Sequence, residues 1–331
     1  MLAGISLTCF TASYIVALAL EATRMWFRSG LRGALMLGFG AAGLFAHTLF
    51  LGHRAMQSTE AAPLSSEFDW YLIAAWALAA VYLGWTFRQL NAPNERRTAV
   101  GLFLLPLVLA LVAAAQFLAN REPLQREQAS GIWLTIHITC VAVGLVSVLL
   151  GFVTGVMELV QAYRMKHKVR PQQGLKLPSL EWLQQTGLQT IFASFTLASL
   201  GLLSGMILNV VKGQFSWADP IVWRFGAVVL WLAVAVTFTV VYKPARQGRK
   251  IAYLTLMSAL VVVLSLSIGR ILPSGHGAPK HRNSFEQSSN VVGTLRVPYH
   301  AERPVGDSVF EEARSSQRLS SDLARLFGGD A

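Results

Sequence analysis

The chain has 331 residues, 53% of them hydrophobic and only 14% charged, with a formal net charge of +11. Soluble domains carry closer to ~25% charged residues, so this composition excludes an ordinary water-soluble enzyme. The cysteines, Cys9 and Cys140, are far apart and form no C-x-x-C or C-x-x-C-H, which excludes a disulfide framework, a zinc site and a covalent haem-attachment motif.

Apolar runs long enough to cross a bilayer recur along the chain, whose mean hydropathy is +0.48. In chain order they are Leu2–Leu20, Ala34–Leu51, Trp70–Phe87, Ala99–Leu118, Ile132–Val160, Leu188–Val211, Ile221–Tyr242 and Ala252–Leu272. An all-α, polytopic integral membrane protein with about eight transmembrane helices is expected. The first run has no basic n-region ahead of it and is read as a retained span. Beyond about Pro273 the chain turns polar, rich in Ser, Gly and Arg, and reads as a disordered external tail. Within it, Ser308–Phe327 has the spacing of one short amphipathic helix.

The loops alternate in charge. Residues 24–32, 88–97, 164–176 and 243–250 carry fifteen Lys and Arg, against four (Arg54, Arg121, Arg126 and Lys212) in the intervening loops. Positive charge collects on cytoplasmic loops, so eight helices with both termini outside are expected in a bacterial cytoplasmic membrane. The net positive charge is thereby accounted for by orientation, and no nucleic-acid partner is expected.

That orientation brings several side chains to the outer face. They are His47 near the end of the second run, His137 near the start of the fifth, and His276 just past the eighth. The external loop before the seventh run, SWADPIVW, adds Trp217, Asp219 and Trp223 around an Asp-Pro turn. Ionisable residues within apolar runs read as functional by default, and His47 and His137 both lie in such runs. Trp70, Trp133 and Trp182 read as interfacial anchors, and His53, His167, His281 and His300 as solvated. Imidazole is a good iron ligand, and two axial histidines leave no open position on the iron. With aromatic faces to bury a porphyrin, the set suits non-covalently bound haem b.

These fragments also carry a family resemblance. IWLTIH ending at His137, LPSLEWL at Leu177–Leu183, SWADPIVW at Ser216–Trp223, QGRKIAYLTL at Gln247–Leu256 and SGHG at Ser274–Gly277 follow one another in order. Together they resemble the cytochrome c assembly family of membrane haem-handling proteins, with its CcsA, CcmC and HemX-like branches. The resemblance runs from about Ile132 to Gly277. It implies His137 and His276 as axial ligands of the haem iron, with Trp217, Asp219 and Trp223 in the haem-facing, Trp-rich-type loop. Two departures stand out: Ile221 and Val222 replace charged residues of the loop, and no histidine follows the seventh run, where VVYKPARQ stands. Both bring the chain nearer the HemX-like branch.

The expected organisation is a four-helix membrane part over 1–130, haem-handling helices over 131–277, and the tail over 278–331. The leading reading is a membrane haem-binding protein, not an enzyme, that assists cytochrome c maturation by presenting haem on the outer face. A ResB/CcsB-like membrane partner and apocytochrome c are the partners the resemblance implies, besides the lipid bilayer. The alternatives are a HemX-like accessory or regulatory protein of tetrapyrrole synthesis and a small-molecule transporter, though the repeated halves and broken helices of many transporters are not evident.

Overall fold

The computed structural model describes residues 7–23, 30–57, 64–91, 98–122, 132–168, 176–211, 220–242 and 249–271. Among these residues the protein is all-helical. The elements are α1 (Leu7–Ala22), α2 (Gly30–Gln57), α3 (Glu67–Asn91), α4 (Gly101–Leu118), α5 (Ile132–Lys166), α6 (Leu180–Val211), α7 (Pro220–Val241) and α8 (Lys250–Ile271). Seven of them, α2 to α8, are long and apolar enough to cross a membrane. The described part of α1 has 16 residues and falls short of that length. The protein is a polytopic, all-α membrane protein.

Neighbouring helices run antiparallel, as their paired residues show. Tyr14 of α1 meets His47 of α2, and Trp76 of α3 donates its indole N–H to Thr48 of α2 at 2.9 Å. In the second half, Gly201 and Gly205 of α6 face Val141 and His137 of α5, while Gln184 reaches Glu158. Trp231 of α7 donates to Ser258 of α8 at 3.1 Å. Helices α1 to α4 pack mainly on one another, as do α5 to α8, and α3 and α4 join the halves through α5.

The packing is what a bilayer requires. Large apolar side chains such as Ile207, Leu230, Phe238 and Val263 are exposed on the helix surfaces, where lipid replaces water. With no hydrophobic drive between helices in lipid, close approach depends on small residues. Gly155 is one case: a Cβ there would run into Thr255 Oγ1 and stand 3.1 Å from the Ala252 carbonyl oxygen. In the first half, Phe10, Tyr14, Leu72, Leu78, Leu104 and Leu105 form a fully buried core.

Several helices outrun the apolar runs that announced them, for local reasons. Ser66 and Asp69 form a reciprocal cap at the start of α3. The Asp69 N–H donates to Ser66 Oγ at 3.2 Å, and the Ser66 N–H to Asp69 Oδ2 at 3.2 Å. Asp69 is buried and also pairs with Arg54 of α2, whose guanidinium lies 4.8 Å above the Phe68 ring. Helix α6 begins at Leu180, a little over two turns before its apolar run. Ser179 accepts the Trp182 N–H at 3.3 Å, and Leu183 is buried.

Candidate functional site

The start of α5 carries His137, in a helix of 35 residues packed along α6. Its Nδ1 stands 2.7 Å from the carbonyl oxygen of Gly201. A carbonyl only accepts, so Nδ1 carries the hydrogen, and in the neutral ring Nε2 keeps its lone pair. This is the arrangement that orients histidine ligands in metal sites, where one ring nitrogen donates to a carbonyl and the other binds the metal. The same Gly201 carbonyl accepts the Ser204 hydroxyl at 2.9 Å. Two glycines make the approach possible. A Cβ on Gly201 would stand 2.9 Å from Val141 Cγ2, and one on Gly205 would meet the imidazole itself.

A cleft of about 300 Å³ begins one turn along α5 from His137. Val141, Gly144, Leu145 and Val148 share a helical stripe with His137 and line it, and helices α6, α7 and α8 close the other sides. Its volume is at the small end of the roughly 300–1,000 Å³ typical of organic-ligand sites. The lining is mostly apolar, with Arg224 of α7 and Glu67 of α3 as its charged members. The lining offers apolar surface with one cation, Arg224, and one carboxylate, Glu67.

The antiparallel packing puts His137, Trp223 and Glu67 at the same end of the bundle, each at the start of its helix. Trp223 is 69% exposed in the first turn of α7, directly before Arg224. His47 is separate. It is fully buried between α1 and α2, stacked on Phe10 with ring centroids 4.2 Å apart, with the Tyr14 hydroxyl 3.3 Å from its Nδ1. Its Nε2 has no hydrogen-bond partner among the described residues. His47 lines neither the cleft nor any other described cavity. Trp217, Asp219 and His276, and the tail from 278, lie outside the described residues.

A sequence profile of the family described as Cytochrome C assembly protein matches residues 70–275. The chain belongs to the cytochrome c assembly protein family. The match starts within α3, well before Ile132, so the family's shared part includes most of α3 and all of α4 as well as the four helices of the second half. Two relatives described as cytochrome c biogenesis protein CcsA, from Prochlorococcus marinus strains MIT 9303 and MIT 9313, are each 24% identical to it over 229 residues. Each alignment covers 61% of this chain and 70% of the relative.

Two residues of this cytochrome c assembly protein were not singled out in the sequence. Arg224 sits in an apolar run and lines the cleft. Glu158 is buried in α5 and accepts a hydrogen bond from Gln184 at 3.3 Å. The signal that drew attention to His47 and His137, an ionisable side chain within an apolar segment, applies equally to both. Trp182, expected as an interfacial anchor, packs against Trp85 with ring centroids 4.9 Å apart.

Proposed function

We propose that this protein binds haem non-covalently and presents it at the outer membrane face for cytochrome c maturation. Family membership supports the general role, and the names of the CcsA relatives point the same way. The observation that carries the reading is the hydrogen bond from His137 Nδ1 to Gly201, which fixes the imidazole one helical turn from an apolar cleft that Val141 and Gly144 line. In this reading His137 and His276 are the axial ligands, and Trp217, Asp219 and Trp223 form the loop over the porphyrin. Arg224 faces the propionate edge.

The basic loops put the opposite end of the bundle in the cytoplasm. All eight helices then span the membrane, with both termini outside and the His137 end at the outer face. The first four helices act as scaffold, residues 131–277 handle haem, and residues 278–331 form an external tail. Haem is the cargo here. It supplies the vinyl groups to which client thiols attach, while the chain binds it, orients it and keeps both axial positions closed. Attachment itself requires apocytochrome c and a ResB/CcsB-like partner bearing an external domain.

The test is the absorption spectrum of the purified protein. Two imidazoles give the sharp visible bands of low-spin, six-coordinate haem on reduction. His137→Ala and His276→Ala lose or shift those bands, added imidazole partly restores them, and His167→Ala leaves them unchanged. Identical spectra for all three variants would refute the ligand assignment. His47→Ala in the same series reports whether the buried imidazole contributes.

A further inference from the structure

At the end of the bundle opposite His137, a cavity of about 640 Å³ opens between the end of α3 and the entry to α6. Trp85, Arg88 and Gln89 line it from α3, and Pro178, Ser179 and Trp182 from the other side. Its walls are tied together. The Gln89 amide donates to Thr98 Oγ1 at 2.8 Å and accepts the Thr98 N–H at 2.8 Å, and the Trp85 indole N–H donates to the same hydroxyl at 3.3 Å. The Ala99 N–H donates to the Lys176 carbonyl at 2.8 Å. The end of α3, the start of α4 and the entry to α6 are thus one hydrogen-bonded frame, with the Trp85 and Trp182 rings in contact at its centre.

Arg88 is exposed at the rim and has no hydrogen bond or ion pair among the described residues. Beside it Phe87 is 53% exposed. Lys166, Lys176 and Lys250 end up at the same face of the bundle. An unpaired guanidinium, two indoles and an exposed phenyl at one membrane–water boundary have the chemistry of a phospholipid site. Arg matches phosphate oxygens, indole sits at headgroup level, and basic pockets between membrane helices take anionic headgroups. The cavity is much larger than a single inorganic anion needs.

We propose that this cavity holds an anionic phospholipid of the adjacent leaflet, with Arg88 on its phosphodiester and Trp85 and Trp182 against its glycerol backbone. The site is separate from the His137 cleft and does not depend on haem binding.

Native mass spectrometry of the full chain in mild detergent tests it, with phosphatidylglycerol, phosphatidylcholine and soluble glycerol phosphate offered in turn. The wild type is expected to retain phosphatidylglycerol about fivefold over phosphatidylcholine, the size of effect one Arg has near an anionic surface. R88Q, at an exposed position, removes the preference. K166Q, at an exposed cation on the same face outside the cavity, keeps it. Equal retention of the two lipids by the wild type would overturn the proposal. So would equal losses in R88Q and K166Q, which mean diffuse attraction. Competition by glycerol phosphate as effective as by lipid would make it a soluble-phosphate site. Displacement of the lipid by haemin in wild type but not in R88Q would make it a tetrapyrrole site.

Discussion

The His137 ring occupies the space that Gly205 leaves open, since a Cβ on Gly205 would lie 2.8 Å from Nδ1 and 2.9 Å from Cε1. The neighbouring atoms belong to a ring held at Nδ1 by Gly201, so neither helix can yield without disturbing that bond. An α6 surface of five residues, from Gly201 to Gly205, thereby sets the orientation of a side chain on α5.

Gly205→Ala is therefore expected to act as a ligand-orientation variant although it removes no ligand. Haem affinity should fall about 10–100-fold, the usual cost of disturbing the group that orients a metal-binding histidine. Gly52→Ala is the control, because nothing lies within 4 Å of its added Cβ. Haem titration followed at the Soret band measures both. Equal affinities in the two variants would remove the role assigned to the α5–α6 contact.

Trp223 and Trp217 are expected to cover the porphyrin. An aromatic side chain buries roughly 150–250 Å², so Ala at either position should lower haem per molecule of protein while Phe largely keeps it. If Asp219 acts by capping the turn before Pro220, Asn substitutes well; if its charge is needed, Asn fails. If the tryptophans are only interfacial anchors, membrane yield falls and the haem-to-protein ratio stays constant. Normalised spectra decide between these outcomes.

Orientation is measured by reporter fusions. Fusions after Arg97 and after Lys250 should report cytoplasm, and a fusion after Asn120 should report the outside, because one alternate set of loops holds fifteen basic residues and the other four. A cytoplasmic signal at Asn120 would put His137 and Trp223 on the wrong face for delivery to an external client.

The Arg54–Asp69 pair predicts a stability effect remote from the site. Asp69→Ala removes the carboxylate from Arg54, which keeps its contact with the Phe68 ring, and takes the reciprocal cap from Ser66; the loss should be about 1.5–3 kcal/mol, as for hydrogen bonds to charged groups. Glu122→Gln, at an exposed position, should stay within about 0.5 kcal/mol of the wild type. Unfolding in detergent compares them, and equal midpoints would mean that the pair contributes nothing to the fold.

Helix positions were readable because a bilayer demands long apolar runs, and such runs are visible without any tertiary information. Helix ends were less so. The start of α6 depends on Ser179 and on Leu183 finding a buried place, and α5 continues through polar residues to Lys166. A helix does not stop where hydropathy does, because its backbone bonds remain intact in the interface. His137 is legible as an imidazole in an apolar run; Arg224 obeys the same rule, but its place in the cleft wall is set by tertiary packing.

From the sequence alone came the all-helical membrane class, the charge asymmetry and the family resemblance, since each depends on residue type and linear order. The partner of His137 is 64 residues away on another helix, so only tertiary packing could identify it. The burial of His47 against Phe10, the cleft beside Arg224 and the frame around Trp85 and Trp182 belong to the same category. Lipid rewards every apolar helix surface alike, so hydropathy cannot say which face meets which neighbour; that choice is made by small residues and polar contacts whose partners lie far apart in the chain.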